Sequence, residues 1–395
     1  VARAIVVLLA ATVGLSGLTT PARAAGVQDD QWYLEPMQAE QMWKVSKGKG
    51  ITVAVVDSGV SPSSSTLRGR VLPGTDVSGT PGGPHDDVAG HGTTMAELIA
   101  GTGSGGGILG LAPEAQILPV RTLSPSDPGH KKHDTIAGAL RAAADSEAQI
   151  INLSLGGVRS PDLERAVDYA AAKGKLMFAS TGNSGNDESY DEGWIEAPAS
   201  YDSVVAVAGA DNGGETAEYS QKGRVALTAP GTNIPGWCDK SLTRYCRTQG
   251  TSNSTAIASA SAALIWAKHP EWTANQVLRV MLQTAGVPKG QKVPSEYVGY
   301  GAVRPRKVLL EGKGDPGDPD VHPLIDPSSI HPSPSPKPQP SEEPDPGPGA
   351  AEPQAAGKAA DDSPGQTVLL AGGGAAAVLL AAAVFAFVRL RRGRQ

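Results

Sequence analysis

The chain reads as an α/β protein built on a mainly parallel central sheet with helices on both faces, and three observations predict this. The run Ile51-Thr52-Val53-Ala54-Val55-Val56 is apolar and β-branched without polar alternation, as in a strand buried on both sides. Further strands are expected at 117–120, 149–155, 176–180, 204–208 and 225–228, alternating with helical spacing at 136–144 and 163–172. That alternation means right-handed crossovers onto one parallel sheet. The first run also ends in Asp57-Ser58-Gly59, and reactive groups in open α/β sheets collect at the carboxyl ends of strands.

With 395 residues, 49 of them Gly and 32 Pro, the chain holds one large domain plus tails and not two enzymes. A formal charge of -6 offers no basic field, and the basic residues are scattered except at the far C-terminus, which excludes nucleic acid as a partner.

Taken in order, residues 1–24 read as a secretory signal: Arg3, an apolar core, then Ala22-Arg23-Ala24 as a small-x-small cleavage site. Residues 25–49 are too few to fold alone; they offer Trp32, Leu34 and Trp43 to pack on the domain and a short helix around 37–43. The domain proper is expected over 50–311. Near its end, a helix over 274–284 has Thr273 as N-cap, Gln276 completing a capping box and Gly286 as terminator. Residues 312–366 shift to Pro, Ser, Asp, Gly and Glu, plainest in Pro332-Ser333-Pro334-Ser335-Pro336, and read as an extended linker. An uncharged apolar run over 367–388 is long enough to span a bilayer, and 389–395 carries Arg389, Arg391, Arg392 and Arg394. By the positive-inside rule this tail is cytosolic and the domain faces outward.

Two more stretches carry chemistry. Gly250-Thr251-Ser252 opens a run of small and apolar residues at helical spacing (Ala256, Ile257, Ala260, Leu264, Ile265), which sets Ser252 at a helix N-terminus with its unpaired N–H groups. A plain helix cap is the ordinary alternative. His91-Gly92-Thr93 opens another helical run, closed by Gly101.

Together these residues resemble the subtilisin-like serine proteases, the subtilases, over roughly residues 50–310. The resemblance is carried by Val55-Val56-Asp57-Ser58-Gly59-Val60, His91-Gly92-Thr93, Ser154-Leu155-Gly156-Gly157, Gly182-Asn183 and Gly250-Thr251-Ser252, in that order. It implies a subtilisin-like three-layer fold and a catalytic triad in the chain order Asp, His, Ser. Ser252 is then the nucleophile, His91 the base and later the acid, and Asp57 the group that orients His91. Asn183 would face the oxyanion with its amide, beside the backbone N–H of Ser252. Ser154, Leu155 and Gly156, with Gly182, would form the substrate-binding edge for an extended polypeptide.

The short N-terminal extension, linker, span and basic tail resemble the mycosins, subtilases of type VII secretion. That implies a protease held in the cell membrane, processing secretion substrates and supporting the membrane complex; a scaffold whose catalysis is dispensable is the alternative. An esterase reading is weakened because Gly250-Thr251-Ser252-Asn253-Ser254 lacks the second glycine of a nucleophile elbow.

The sequence also departs from the family. After Ser252 the usual small-x-Pro reads Ser254-Thr255-Ala256, and the loop 103–110 lacks the Asn and Asp oxygens that many subtilases give to calcium, so no metal and no cofactor is expected. Asp86-Asp87 reads as a solvated acidic turn. Cys238 and Cys246 are expected to form a disulfide in an exported chain; two free thiols or a metal pair are the alternatives, although zinc would need more ligands than the segment supplies.

Overall fold

The computed structural model describes residues 26–122, 132–187, 193–287, 290 and 292–331. The signal 1–24, the linker beyond 331, the apolar run 367–388 and the tail 389–395 lie outside the described residues. Among the described residues no helix is long and apolar enough to cross a membrane.

Seven strands form one sheet: β1 (Thr52–Asp57), β2 (Thr75–Asp76), β3 (Gln116–Arg121), β4 (Ile150–Leu153), β5 (Leu176–Ser180), β6 (Val205–Ala210) and β7 (Leu227–Pro230). Their order is β2-β3-β1-β4-β5-β6-β7, and every neighbouring pair is parallel. The chain leaves β1 to build β2 and β3 on one side and returns to start β4 on the other. Asp57 therefore ends the strand at which the winding reverses, where α/β sheets open a crevice.

All six side chains of β1 are buried, as its unbroken apolar run requires. Val53 and Val55 join the core under α2 (His91–Ala100), α5 (Thr251–Lys268) and α6 (Ala274–Gln283). Ala54 and Val56 join the opposite core under α3 (Lys132–Asp145) and α4 (Pro161–Ala172). Helices thus cover both faces and the fold has three layers. The short α1 (Ala39–Trp43) and α7 (Pro305–Leu309) complete the helices named here.

Helix α5 is buried on all sides over most of its length, which its Ala and Ser residues permit by leaving room for neighbours at every face. Three of its buried hydroxyls are satisfied: Thr255 Oγ1 donates to Thr251 O at 2.7 Å, Ser261 Oγ to Ile257 O at 2.8 Å and Ser259 Oγ to Asn152 Oδ1 at 3.1 Å.

Three segments differ from expectation. The stretch before Ser252, where no strand was expected, is a hairpin of β8 (Ile234–Trp237) and β9 (Tyr245–Thr248), each too short to show strand periodicity. Helix α6 starts as expected, with Gln276 Oε1 accepting from Thr273 N at 3.1 Å, but its C-cap is Thr284. Gly286 instead pairs with Ala302, its N–H donating to Ala302 O at 2.7 Å. Residues 312–331, assigned to the linker by composition, fold back over α6. There the fully buried Arg279 donates to the carbonyl oxygens of Pro316, Asp318 and Val321, and Ile330 is buried.

At the other end, the N-terminal extension lies on the domain. Trp32, Leu34 and Trp43 pack against the core, and the indole N–H groups donate to Thr232 O (3.0 Å) and Leu111 O (2.8 Å). Gln28 Nε2 donates to Gly103 O and Gly107 O, while Gln31 exchanges hydrogen bonds with both backbone groups of Leu109. The glycine-rich loop 103–110 is thereby held by two side-chain amides.

Replacing Arg279 by Ala leaves three carbonyl groups without their charged donor and opens space under the strap. Arg279→Ala is expected to lower stability by roughly 2–4 kcal/mol. Denaturant unfolding measures the loss, and limited proteolysis should cut first within 312–331; unchanged stability and protection would refute the role of this hook.

Candidate active site

Helix α2 begins with His91, and its neighbour Gly92 lies against β1: a β-carbon there would collide with Gly59 O and approach Asp57 Cβ. This close contact brings the imidazole onto the strand end. His91 Nδ1 lies 2.8 Å from Asp57 Oδ1 and 2.9 Å from Oδ2, so the carboxylate holds that nitrogen as an N–H donor. Asp57 is nearly sealed, with 4% of its side chain exposed, whereas 41% of His91 is open. One ring nitrogen is thus fixed inward while the ring keeps an accessible face. Asp57 Oδ1 also accepts from Ser58 N (2.8 Å), and Ser58 Oγ lies 3.1 Å away, which settles its rotamer.

The start of α2 is held by Asp87, which has no structural role in the sequence reading. Asp87 accepts from Ser58 Oγ (2.7 Å), Ala89 N (3.0 Å), Gly90 N (2.8 Å), Thr93 N (2.8 Å) and Thr93 Oγ1 (2.6 Å). It therefore caps the helix from outside, meeting free N–H groups at the positive end of the macrodipole. Of the expected solvated acidic turn, Asp86 is exposed, but Asp87 is a helix cap. The signal was available: an acidic residue a few positions before a helix opened by Gly-His-Gly, where neither glycine can cap with a side chain.

Ser252 lies in the first turn of α5, one residue after the observed start at Thr251. Its backbone O accepts from Ser154 Oγ at 3.0 Å, and its own Oγ donates to Ser154 O at 3.3 Å. The edge after β4 therefore runs directly past this hydroxyl. Opposite, after β5, Asn183 Oδ1 accepts from Thr251 N (2.8 Å) and Thr251 Oγ1 (3.1 Å). With its oxygen committed, the amide has its NH₂ left to donate beside Ser252. Gly182, at φ +111°, makes the turn into Asn183, and its N–H lies 3.3 Å from Thr251 Oγ1. Asp57, His91, Ser154, Gly182, Asn183 and Ser252, scattered over the chain, thus all stand on the carboxyl rim of one sheet.

The subtilase family profile matches residues 48–301, well over half of the chain. The chain belongs to the subtilase family. Among curated relatives, thermitase of Thermoactinomyces vulgaris is 35% identical over 238 residues, covering 60% of this chain and 81% of its own. The major intracellular serine protease of Bacillus subtilis is 35% identical over 239 residues, covering 59% and 73%. The minor extracellular protease Epr of Bacillus subtilis is also 35% identical, over 280 residues, and the chain spans 41% of its length. Among solved structures, MycP1 from Mycobacterium smegmatis superposes with a TM-score of 0.63 at 27% identity, covering 75% of this chain and 89% of that one. MycP3 from the type VII (ESX-3) secretion system gives 0.61 at 29% identity, covering 73% and 90%.

In this subtilase the rim is braced by the β8–β9 hairpin, which a disulfide between Cys238 and Cys246 closes. The hairpin tip reaches the start of α2: Gly90 has no room for a β-carbon because Asp239 O is there. One helical face further along, Glu97 is fully buried yet accepts from Ser64 Oγ, Thr66 Oγ1 (2.8 Å) and Tyr245 OH (3.1 Å). Burial pushes its carboxyl above the usual range, and these donors only partly offset that. A glutamate inside an apolar helical face was the visible signal for this junction of α2, hairpin and loop. Among the described residues, no group of three or more His, Cys, Asp or Glu could hold a metal ion.

For His91, burial works against the charged ring, but Asp57, by charge and hydrogen bond, and the charge of Asp87 outweigh it. Its pKa is held above the ordinary 6.5. NMR titration of the imidazole should therefore give a midpoint above 6.5, and Asp87→Asn should lower it by removing one of the anions. A midpoint at or below the ordinary value in the unaltered protein contradicts this arrangement.

Proposed function

We propose that this subtilase is a membrane-anchored, outward-facing serine endopeptidase in which Ser252, His91 and Asp57 cleave peptide bonds through an acyl-enzyme. The observation that carries the reading is His91 Nδ1 bonded to both oxygens of Asp57 on the rim that also bears Ser252. Asp57 keeps the proton on Nδ1, which leaves Nε2 as the basic nitrogen. In the structure Ser252 Oγ rests on Ser154 O, so it first turns about its Cα–Cβ bond towards the imidazole, a change between staggered rotamers. It then attacks the carbonyl carbon, Nε2 takes its proton, and the developing oxyanion is met by the Asn183 amide and the Ser252 N–H. His91 returns the proton to the leaving amine as the C–N bond breaks. Water, deprotonated by the same imidazole, hydrolyses the acyl ester and frees Ser252.

A fluorophosphonate probe should label the wild-type protein and not Ser252→Ala. Asn183→Ala should retain a folded chain with turnover reduced about 10²- to 10³-fold, the loss produced by removing the equivalent donor of subtilisin. Absence of label on the wild type would leave the alternative, a module whose service is structural. Because His91 must be neutral, activity should fall as pH drops through its raised pKa.

Membrane anchoring rests on sequence: the signal 1–24, the apolar run 367–388 and the arginines after it. The likeness to MycP1, described as an essential component of the type VII (ESX-1) secretion system, supports a mycosin role in processing secretion substrates and supporting the membrane complex. In cells, the full chain should stay in membranes after alkaline carbonate washing, while a chain ending at residue 366 should be released; release of both would refute the anchor.

A further inference from the structure

The outer side of the N-terminal extension carries a groove of about 640 Å³. Its walls come from residues 28–43, and Leu109 of the glycine-rich loop completes them. Trp32, Leu34 and Trp43 supply apolar surface there. Because the two indole N–H groups already donate to Thr232 O and Leu111 O, the rings bring carbon surface to the groove and no donor. The backbone behind it is anchored: Tyr33 and Met42 are fully buried, and Gln28 and Gln31 tie the extension to loop 103–110. A ligand therefore meets a formed surface and loses little to ordering it.

The rim has a single sign of charge. Asp29, Glu35 and Glu40 line the groove, all three exposed, and no Lys, Arg or His does so. Asp29 accepts from Gly26 N at 2.9 Å, whereas the Glu35 and Glu40 carboxylates have no hydrogen bond or ion pair among the described residues. The neighbouring Asp30 shows what such a carboxylate takes when a cation is near: Arg247 pairs with it at 2.7 Å, and Asp30 does not line the groove. Carboxylates next to apolar surface, spread from position 29 to position 40, match cations that recur along a chain with apolar groups between them. They repel phosphates, which sets aside nucleic acid and anionic lipid headgroups. The chain's own linker 332–366 is a poor match in charge, with six acidic residues against two lysines.

We propose that this groove is a docking site for a segment of a partner protein in which lysine or arginine recurs among leucine and proline. The partner's cations pair with Glu35 and Glu40, and its apolar side chains lie against Trp32, Leu34 and Trp43. An arginine gains twice, because its planar cation also stacks on an indole ring. None of Asp57, His91, Asn183 and Ser252 lines the groove, so docking is independent of hydrolysis and goes beyond the protease reading.

The test uses the full chain in detergent, carrying Ser252→Ala so that the probe survives, and follows the anisotropy of a fluorescein-labelled peptide of repeated Lys-Leu-Pro units. This peptide should bind, its Glu-Leu-Pro counterpart should not, and a Lys-Ser-Pro counterpart should bind more weakly. Glu35→Lys combined with Glu40→Lys should weaken binding roughly 10-fold, as two attractions become repulsions. The same change of charge at the exposed Glu147, after α3, and Asp168, on α4, lies across the sheet from the extension and should leave binding unaltered. Should the groove variant not fold, a benzophenone on the Lys-Leu-Pro peptide reports the site in the Ser252→Ala chain, where crosslinks within 28–43 or at Leu109 support it. No binding, equal loss in both charge variants, equal binding of the Lys-Ser-Pro peptide, or crosslinks confined elsewhere overturns the docking site. Sedimentation of the chain alone covers the remaining occupant: self-association undone by Glu35→Lys with Glu40→Lys would give the groove to a second copy and overturn the partner.

Discussion

The imidazole of His91 is clamped between two carboxylates that act in different ways, and the rest of the rim is arranged around that clamp. Asp57 holds the ring itself, through Nδ1. Asp87 holds the helix that carries the ring, through three backbone N–H groups and two hydroxyls. Ser58 Oγ joins the two, lying within hydrogen-bond distance of both carboxylates. Strand end and helix start are therefore one polar unit, and a shift of either would break bonds at the other. Both anions favour the charged ring, which suits the role proposed for His91, a base that becomes an imidazolium during acyl transfer.

Around this unit the domain invests polar contacts where a core alone would leave loops loose. The hairpin closed by Cys238–Cys246 reaches α2 through Tyr245 and Glu97, six residues along the helix from His91. The N-terminal extension holds the 103–110 loop with Gln28 and Gln31, and the segment after α7 is hooked by Arg279. Each device uses a side chain to satisfy backbone carbonyls or hydroxyls that no strand or helix partner can reach. The consequence is a rim whose helices have little freedom to slide, as pre-organised catalysis demands.

How much could be read without coordinates depended on how local each signal was. The six main strands follow from runs of apolar β-branched residues, and α2 and α5 from helical spacing after Gly-His and Gly-Thr-Ser, because both patterns are set by near neighbours in the chain. Short motifs at element ends singled out Asp57, His91 and Ser252 as the candidate triad. The hairpin before Ser252 was not legible, since two four-residue strands, one of them carrying Pro235 and Gly236, are too short to show periodicity. Residues 312–331 misled by composition: their Pro, Gly and Asp content suggests extension, yet the carbonyls of Pro316, Asp318 and Val321 are what Arg279 needs.

The sequence by itself determined the α/β class and the family, and it singled out Asp57, His91, Asn183 and Ser252 as candidates, because motif and periodicity are properties of neighbouring residues. Only the tertiary structure decided that Asp87 caps the helix of His91, that Glu97 joins α2 to the hairpin, and that Glu196 packs against Gly156. Those contacts join positions tens to more than a hundred residues apart or turn on loop geometry, and chain folding alone brings their charges and donors within bonding distance.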